Sequence, residues 1–413
     1  MPANLQSFFP LVLALLLGLG VPRSFSLLYC ALSAIIFSGL RRPGQLPSRL
    51  LLWSAMWLVL FGGSYAAFQV GWQVWSPVRV YLPEIIAIVL LPPMGLLAGW
   101  LLHRSGRICV TRLIIGYLLG ALIYALIALA LSRTPWWNVG QTFPHVLRVP
   151  WGSHLWLSTR AVEQRSFLAL ALLPVGLPLL LRPLIRLRWL GVVCVVMSGL
   201  AMHLAWALQG RIGFAALLIA SLPCLCWIRR FSLRWLVAVL SGMLLSLAIG
   251  SGMLCDERWW LVGGFLKHLG DAPWGGRLIH YTYADCKPGN WSTFGSSPGT
   301  SAFTPHNLIL DVYNDAGWIP CFFLLLALVP ILASLLRGFW TSYTRDGWDV
   351  QLSLRWSVLS VLVVQWLTQP LLYTDQLMFS LGFVYVGALL ADFNSHCPWG
   401  LSVAIPAPPD IPA

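Results

Sequence analysis

One histidine and two arginines are the side chains of this sequence whose types and positions best suit chemistry. His306 lies in the segment Pro305–Gly317, where the longest polar stretch gives way to apolar sequence, and Asn307 follows it. With an unperturbed pKa of about 6.5, an imidazole is largely neutral near pH 7 and can accept a proton from a hydroxyl group. A histidine at such a boundary is also typical of a plain polar group at a helix end.

The two arginines are Arg211 and Arg258. Arg211 follows Gly210 between two apolar segments, and Arg258 opens the long polar stretch beside Asp256 and Glu257. Because the planar guanidinium group binds phosphate oxygens in pairs, two such arginines on one side of a membrane suit a diphosphate. Each also has a simpler interpretation: Arg211 as a helix-end arginine reaching for water, and Arg258 as a partner in a local ion pair.

Several classes of site have no support in the sequence. There is no Walker A motif, no H-E-x-x-H motif and no C-x-x-C pair, so no metal or other cofactor is expected. The apolar segments contain few acidic residues, and Glu84 and Asp375 lie at their edges. Since an ion-coupled transporter needs ionisable groups at bilayer depth, this scarcity argues against a transporter.

The composition predicts an all-α polytopic membrane protein. Of 413 residues, 58% are hydrophobic and 9% are charged, with a mean hydropathy of +0.78, whereas soluble domains carry about 25% charged residues. The first apolar segment, residues 8–21, is interpreted as a membrane helix, because it lacks the basic start and the cleavage site of a signal peptide. About twelve apolar segments suit membrane helices: 8–21, 25–40, 50–68, 83–102, 110–131, 164–181, 187–208, 211–228, 233–254, 314–336, 352–371 and 374–391.

The net charge of +13 comes mainly from arginine clusters on every second connection between these segments. This is the positive-inside pattern, and it predicts cytoplasmic termini. It places the segments 132–163 and 255–306 on the outer side of the membrane. Because the positive charge is explained by topology, it argues against a nucleic-acid partner. The clusters are Arg41, Arg42 and Arg49; Arg104, Arg107 and Arg112; Arg182, Arg186 and Arg188; Arg229, Arg230 and Arg234; Arg337 and Arg345.

The predicted organisation is a single transmembrane domain, 1–395, with a short tail, 396–413. The external segment 132–163 is rich in Trp and Arg, which is typical of an interfacial anchor or of a platform for lipid phosphate or sugar. The segment 255–306 is predicted to begin with a helix, Arg258 to Gly270, and to turn at Asp271–Gly276. Its residues 285–305 show neither helical nor strand periodicity and are predicted to be a functional loop. Cys255 and Cys286 of the segment 255–306 could form a disulfide or remain two thiols.

The residues after the long loop follow a spacing known from one family. His306-Asn307 is followed by Leu310, Asp315 and Gly317, while Pro320 stands where that family often has a second glycine. In this block the chain resembles the O-antigen ligase and O-antigen polymerase superfamily of bacterial envelope glycosyltransferases.

Two further blocks carry the same resemblance, which covers roughly residues 205–330. Arg258 is followed by Pro273 and Gly276, similar to the family's Arg…Pro-x-x-Gly loop, although a Trp usually four places after that Arg is shifted to 259 and 260. Gly210-Arg211 stands where the family commonly has Ser-Arg, which is a short match.

The resemblance implies a GT-C-like, all-helical architecture with a catalytic periplasmic loop in the bacterial inner membrane. It implies transfer of a glycan from an undecaprenyl-diphosphate carrier to a hydroxyl of lipid A–core or of another glycan, with membrane lipids as surroundings. His306 would be the general base, and Arg211 and Arg258 would bind the diphosphate and stabilise its growing charge without a metal. Inversion at the anomeric carbon is expected. Asn307, Arg160 and Arg165 are candidates for supporting roles in this site.

Two alternatives to a ligase remain open. A polymerase of O-antigen or exopolysaccharide belongs to the same superfamily, and the motifs do not distinguish it from a ligase. A compact chain without an appended soluble domain favours the ligase. It also disfavours a protein O-oligosaccharyltransferase. A flippase for lipid-linked oligosaccharides belongs to another class. It would need a polar cavity through the bundle, whereas the apolar segments consist mainly of Leu, Val, Ala and Trp.

Overall fold

A computed structural model describes part of the chain. The described residues are 11–12, 14–16, 19, 25–40, 47–73, 82–104, 109–131, 146–147, 157–158, 173–180, 184–207, 262, 265–267, 269–271, 273–275, 281–283, 300–302, 305, 307–346, 350–368, 372 and 376–396.

This part of the chain is mainly helical. Its α-helices are α1 (Phe25–Leu40), α2 (Arg49–Gln73), α3 (Leu82–Arg104), α4 (Cys109–Leu131), α5 (Leu173–Leu180), α6 (Ile185–Ala207), α7 (Leu308–Ala316), α8 (Trp318–Asp346), α9 (Val350–Thr368) and α10 (Gln376–His396). A single 3-10 turn covers Leu269–Asp271, and the strands are β1 (Val146–Leu147), β2 (Leu157–Ser158), β3 (Tyr281–Tyr283) and β4 (Thr300–Ala302).

Most apolar segments named above correspond to helices, and α1 has the predicted bounds. The segments 211–228 and 233–254 lie outside the described residues. The segment 314–336 corresponds mainly to α8, and only its predicted start differs, because Gly317 separates α7 from α8. Within the described residues, three helical stretches are long and apolar enough to cross a membrane: Arg49–Phe68, Ile86–His103 and Trp318–Arg345.

The helices α3 and α10 form the centre of the bundle and pack in parallel at very short range. Gly95 faces Ser380 and Gly99 faces Val384, so both helices advance in the same direction. A Cβ atom at Gly99 would overlap the carbonyl oxygen of Val384, and one at Gly387 would overlap the carbonyl oxygen of Leu96. Small residues let helix backbones approach closely, and here they replace the side-chain layer between the two helices.

The other helices surround this pair. Packing of α2 against α3 is close at Gly62, and Gly39 brings α1 against α3. The contact between α2 and α8 includes stacked rings of Trp57 and Phe323, with centroids 5.6 Å apart. Large apolar side chains remain exposed on the outside, including Trp53 on α2 and Val329 on α8. An apolar exterior around a packed centre is what a membrane protein presents to lipid.

Short antiparallel ladders lie in both segments predicted to be external. Val146 pairs with Ser158 in the first segment. In the second, Tyr281 pairs with Ala302 and Tyr283 with Thr300. The expectation of no strand within 285–305 is therefore wrong for residues 300–302, since three residues are too few to give a visible periodicity.

The glycine contact between α3 and α10 gives a first prediction. The variant Gly99→Ala should lose about 1–3 kcal/mol of unfolding free energy, because the added methyl group has no room beside the Val384 backbone. Gly63→Ala on α2 is the matched control: a Cβ there meets nothing within 4 Å, so a gain of up to about 1 kcal/mol is expected. Thermal unfolding in detergent measures both, and equal stability of the two variants would contradict the packing.

Candidate functional site

The short helix α7 begins at an asparagine cap. Asn307 has an extended backbone, and its Oδ1 accepts hydrogen bonds from the backbone N–H groups of Ile309 (3.1 Å) and Leu310 (3.2 Å). Its Nδ2 donates to the carbonyl oxygen of Leu367, near the end of α9, at 3.0 Å. Both amide functions of Asn307 are therefore used to fix the start of α7 and to attach it to α9.

One face of α7 is polar and buried. Asp311, Asn314 and Asp315 are all almost fully buried, and the Tyr65 hydroxyl of α2 donates to Asp315 Oδ2 at 3.0 Å. Asp311 lies in the first turn of the helix, where the helix dipole favours a negative charge, and it also interacts electrostatically with Tyr65. This hydrogen bond to α2, which no sequence pattern indicated, holds α7 against the bundle.

The far end of α7 contacts a turn from the beginning of the long polar segment. Gly317 ends the helix with a positive φ of 83°, and its N–H donates to the carbonyl oxygen of Tyr313 at 2.9 Å. The Trp318 N–H then donates to the carbonyl oxygen of Trp274 at 3.2 Å, and the Tyr313 hydroxyl donates to the carbonyl oxygen of Pro273. These bonds attach the turn 273–275 to the junction of α7 and α8.

Gly275 makes this contact possible. Its φ is +65°, a conformation that L side chains rarely adopt. An added Cβ would overlap the Tyr313 carbonyl oxygen and lie 2.9 Å from the Gly317 Cα atom. The contact is thus backbone against backbone, and the sequence block that ends at Gly276 is joined to the block that begins at His306.

Side chains close around the same contact. The buried ring of Phe265 meets Tyr313 edge to face, with centroids 6.4 Å apart. Desolvation, with a smaller effect from Cys321, raises the pKa of the Tyr313 hydroxyl, so it stays protonated as the donor to Pro273. Cys321 Sγ lies 3.7 Å from the carbonyl oxygen of Ile309 and ties α8 to α7.

The structure describes one of the six candidate site residues. Asn307 is the N-cap of α7, a structural role that the sequence analysis did not assign to it. His306, Arg211, Arg258, Arg160 and Arg165 lie outside the described residues. Their arrangement around a diphosphate stays a prediction, as does the state of Cys255 and Cys286, which lie outside them too.

A second group of ionisable residues lies at the opposite end of the bundle. Asp392 of α10 has an ion-pair partner on each side: Arg355 Nη1 of α9 lies 2.8 Å from its Oδ2, and His103 Nε2 of α3 lies 3.3 Å from its Oδ1. The Tyr385 hydroxyl donates to the backbone carbonyl of Arg355 at 2.9 Å. Arg355 and Leu367 are about 18 Å apart along α9, so this cluster is well separated from the cap of α7.

The apolar segments were expected to hold few buried acids, and of the buried acids in the described residues only Asp315 lies within a predicted segment, near the start of 314–336. Asp311 and Asp315 at one end and Asp392 at the other are buried. The Asp392 carboxylate is buried between Arg355 and His103, and a buried charge is tolerated when a partner and hydrogen bonds compensate its desolvation. Those partners come from helices distant in the chain, so the composition of a single segment could not reveal them.

No protein-family model matches the chain, and a comparison with curated proteins finds no relative. In the described part, no group of three or more His, Cys, Asp or Glu side chains is arranged to hold a metal ion.

The turn at Gly275 gives a second prediction. Gly275→Ala should weaken the attachment of the turn by at least about 1–2 kcal/mol, the cost of a left-handed backbone for an L residue, with the steric overlap added. Limited proteolysis of the 255–306 segment and thermal unfolding in detergent should both show the loss. Gly270→Ala is the matched control, because a Cβ there meets nothing within 4 Å. Unchanged protease resistance in the Gly275 variant would show that the turn does not depend on this contact.

Proposed function

We propose that the protein transfers a glycan from an undecaprenyl-diphosphate carrier to an acceptor hydroxyl on the periplasmic face of the bacterial inner membrane. The proposed activity is that of an O-antigen ligase, with lipid A–core as acceptor. The observation that carries the proposal is the attachment of the turn 273–275 to α7, the helix that starts directly after His306.

This attachment supports the proposal because it joins separate parts of the motif. Arg258 and Pro273 belong to one block, and His306 and Gly317 belong to another, more than thirty residues later in the chain. Hydrogen bonds from Tyr313 and Trp318 bring the ends of these blocks into contact. A loop whose two flanks meet in this way suits a binding site that closes around a lipid headgroup.

The second support is the rigidity of α7. Asn307 is hydrogen-bonded to α9, Asp315 to Tyr65 of α2, and Gly317 to the last turn of α7. A base that deprotonates an acceptor must be held within hydrogen-bond reach of it, and His306 directly precedes this fixed helix.

The proposed reaction is a single displacement. The acceptor oxygen forms a bond to the anomeric carbon while the bond from that carbon to the carrier diphosphate breaks, and the diphosphate leaves with the electron pair. His306 takes the acceptor proton. Arg211 and Arg258 stabilise the charge that grows on the leaving diphosphate, with Arg160 and Arg165 as further phosphate ligands. Attack from the opposite face inverts the anomeric carbon.

The proposed architecture is GT-C-like with about twelve membrane helices. Three long apolar helices and an apolar exterior support its membrane location. Arg104 ends α3 and Arg345 lies near the end of α8, both on the side of the His103–Asp392 pair. This arginine-rich side is proposed to be cytoplasmic and the α7 side periplasmic, following the positive-inside rule.

A transporter of lipid-linked oligosaccharides is a second candidate, favoured by one observation. The buried carboxylates Asp311, Asp315 and Asp392, with the partly exposed Arg355, supply ionisable side chains within the bundle, which coupled transport requires. Mutation of the proposed base separates the two candidates, since translocation needs no general base.

The variant His306→Ala should lower glycan transfer by about 10²–10⁴-fold, the usual effect of removing a general base. The assay uses the purified full-length protein, a carrier-linked glycan donor, and either lipid A–core or a second carrier-linked glycan as acceptor. Transfer to lipid A–core identifies a ligase, and extension of the carrier-linked glycan identifies a polymerase.

The matched control is His280→Ala, which changes another histidine of the same polar segment. It should leave transfer unchanged, and both variants should unfold at the wild-type temperature. Wild-type transfer by a folded His306→Ala protein would remove His306 from the mechanism. Donor translocation without transfer by the wild-type protein would favour the transporter.

A further inference from the structure

An exposed aromatic pair marks the start of the longest apolar helix. Trp318 opens the candidate span Trp318–Arg345 and is 47% exposed, while Trp274 in the attached turn is 73% exposed. Their ring centroids are 6.5 Å apart with planes inclined by 51°, and their backbones are joined by the hydrogen bond from Trp318 N–H to the Trp274 carbonyl oxygen. Two large indole rings thus lie side by side on the surface of the protein.

A matching pair lies near the other end of the same helix. Trp340, which is 68% exposed, has its ring centroid 6.1 Å from that of the exposed Tyr343. The rise from Trp318 to Trp340 is about 33 Å at about 1.5 Å per residue. This agrees with the thickness of a bilayer hydrocarbon core, about 30 Å.

A stripe of exposed apolar side chains connects the two pairs. Phe322, Val329 and Leu336 are exposed, and their spacing by one and two helical turns aligns them with Trp318 and Trp340 on one face of α8. One charged residue, the exposed Arg337, lies on α8 between Trp318 and Trp340; it is three residues before Trp340, where a long arginine side chain can reach the headgroups. Tryptophan and tyrosine concentrate at the two membrane–water boundaries, where their rings contact acyl chains and their polar atoms reach headgroups.

We propose that Trp274 and Trp318 form an interfacial anchor that inserts into the headgroup–acyl boundary of the bilayer. The occupant of this surface is phospholipid, and Trp340 and Tyr343 are its counterpart at the opposite boundary. Trp274 belongs to a turn rather than to a membrane helix, so the anchor attaches the start of the long polar segment to the membrane surface. Because the same turn is bonded to α7, the anchor also sets the height of α7 relative to the lipid.

Depth-dependent quenching tests this proposal. An environment-sensitive fluorescent amino acid replaces Trp274 in the full-length protein, which is reconstituted into vesicles of phosphatidylethanolamine and phosphatidylglycerol. Lipids brominated near the carbonyl end of the acyl chain should reduce its fluorescence more than lipids brominated near the methyl end. Iodide in the buffer should quench it far less than it quenches the free amino acid.

The same amino acid at Val329 serves as the reference for the bilayer centre, because Val329 is exposed midway between the two aromatic pairs. There, bromine near the methyl end should be the stronger quencher. Full iodide quenching at position 274 without lipid quenching would place the turn in water and overturn the proposal. Protection from both quenchers would mean that protein covers the turn, and absence of lipid quenching at position 329 would show that the stripe does not face lipid. Either result also overturns it.

Discussion

The contact between Gly275 and the end of α7 is the constraint on which the arrangement of the candidate site depends. It joins two backbones that both require a left-handed glycine, at Gly275 and Gly317, and it leaves no room for a side chain between them. Hydrogen bonds from Tyr313 and Trp318 then fix the turn to the α7–α8 junction. The turn 273–275 is therefore held at the junction of α7 and α8.

The bundle beneath this site is stabilised in two different ways. At its centre, α3 and α10 pack through glycines at very short range, so dispersion contacts between backbones replace larger side chains. At the end away from α7, Asp392 is held between Arg355 and His103. A buried ion pair adds little net stability, but separating its partners would leave an uncompensated buried charge, which disfavours other arrangements of α3, α9 and α10.

The long apolar helices were predictable from the sequence. Short helices, short strands and contacts between residues distant in the chain were not. The apolar segment 25–40 became α1 with the same bounds, because a run of apolar residues is a local signal. The break at Gly317 was missed, although an asparagine cap at 307 and a glycine nine residues after Leu308 are recognisable signs of a short helix. Tyr281-Thr282-Tyr283 has strand-forming residues, but three residues show no clear alternation.

The partners of buried charges could not be predicted at all. Tyr65 and Asp315 are separated by 250 residues, and nothing in either local sequence indicates the other. Asn307 was a candidate for chemistry on its position in the motif, and its helix-capping role became clear only from its bonds to Ile309 and Leu310. The proposed roles of His306, Arg211 and Arg258 rest on the motif and on the attachment of the turn 273–275 to the α7–α8 junction.

In the proposed site, an imidazole and two guanidinium groups surround a carrier diphosphate at the α7 end of the bundle. An experimental structure of the protein with undecaprenyl diphosphate bound is the decisive measurement. Arg211 and Arg258 should lie against the diphosphate oxygens, and His306 should face the space beside them where an acceptor hydroxyl would enter. A diphosphate bound at the His103–Asp392 end, or a His306 side chain directed away from the diphosphate, would exclude this site.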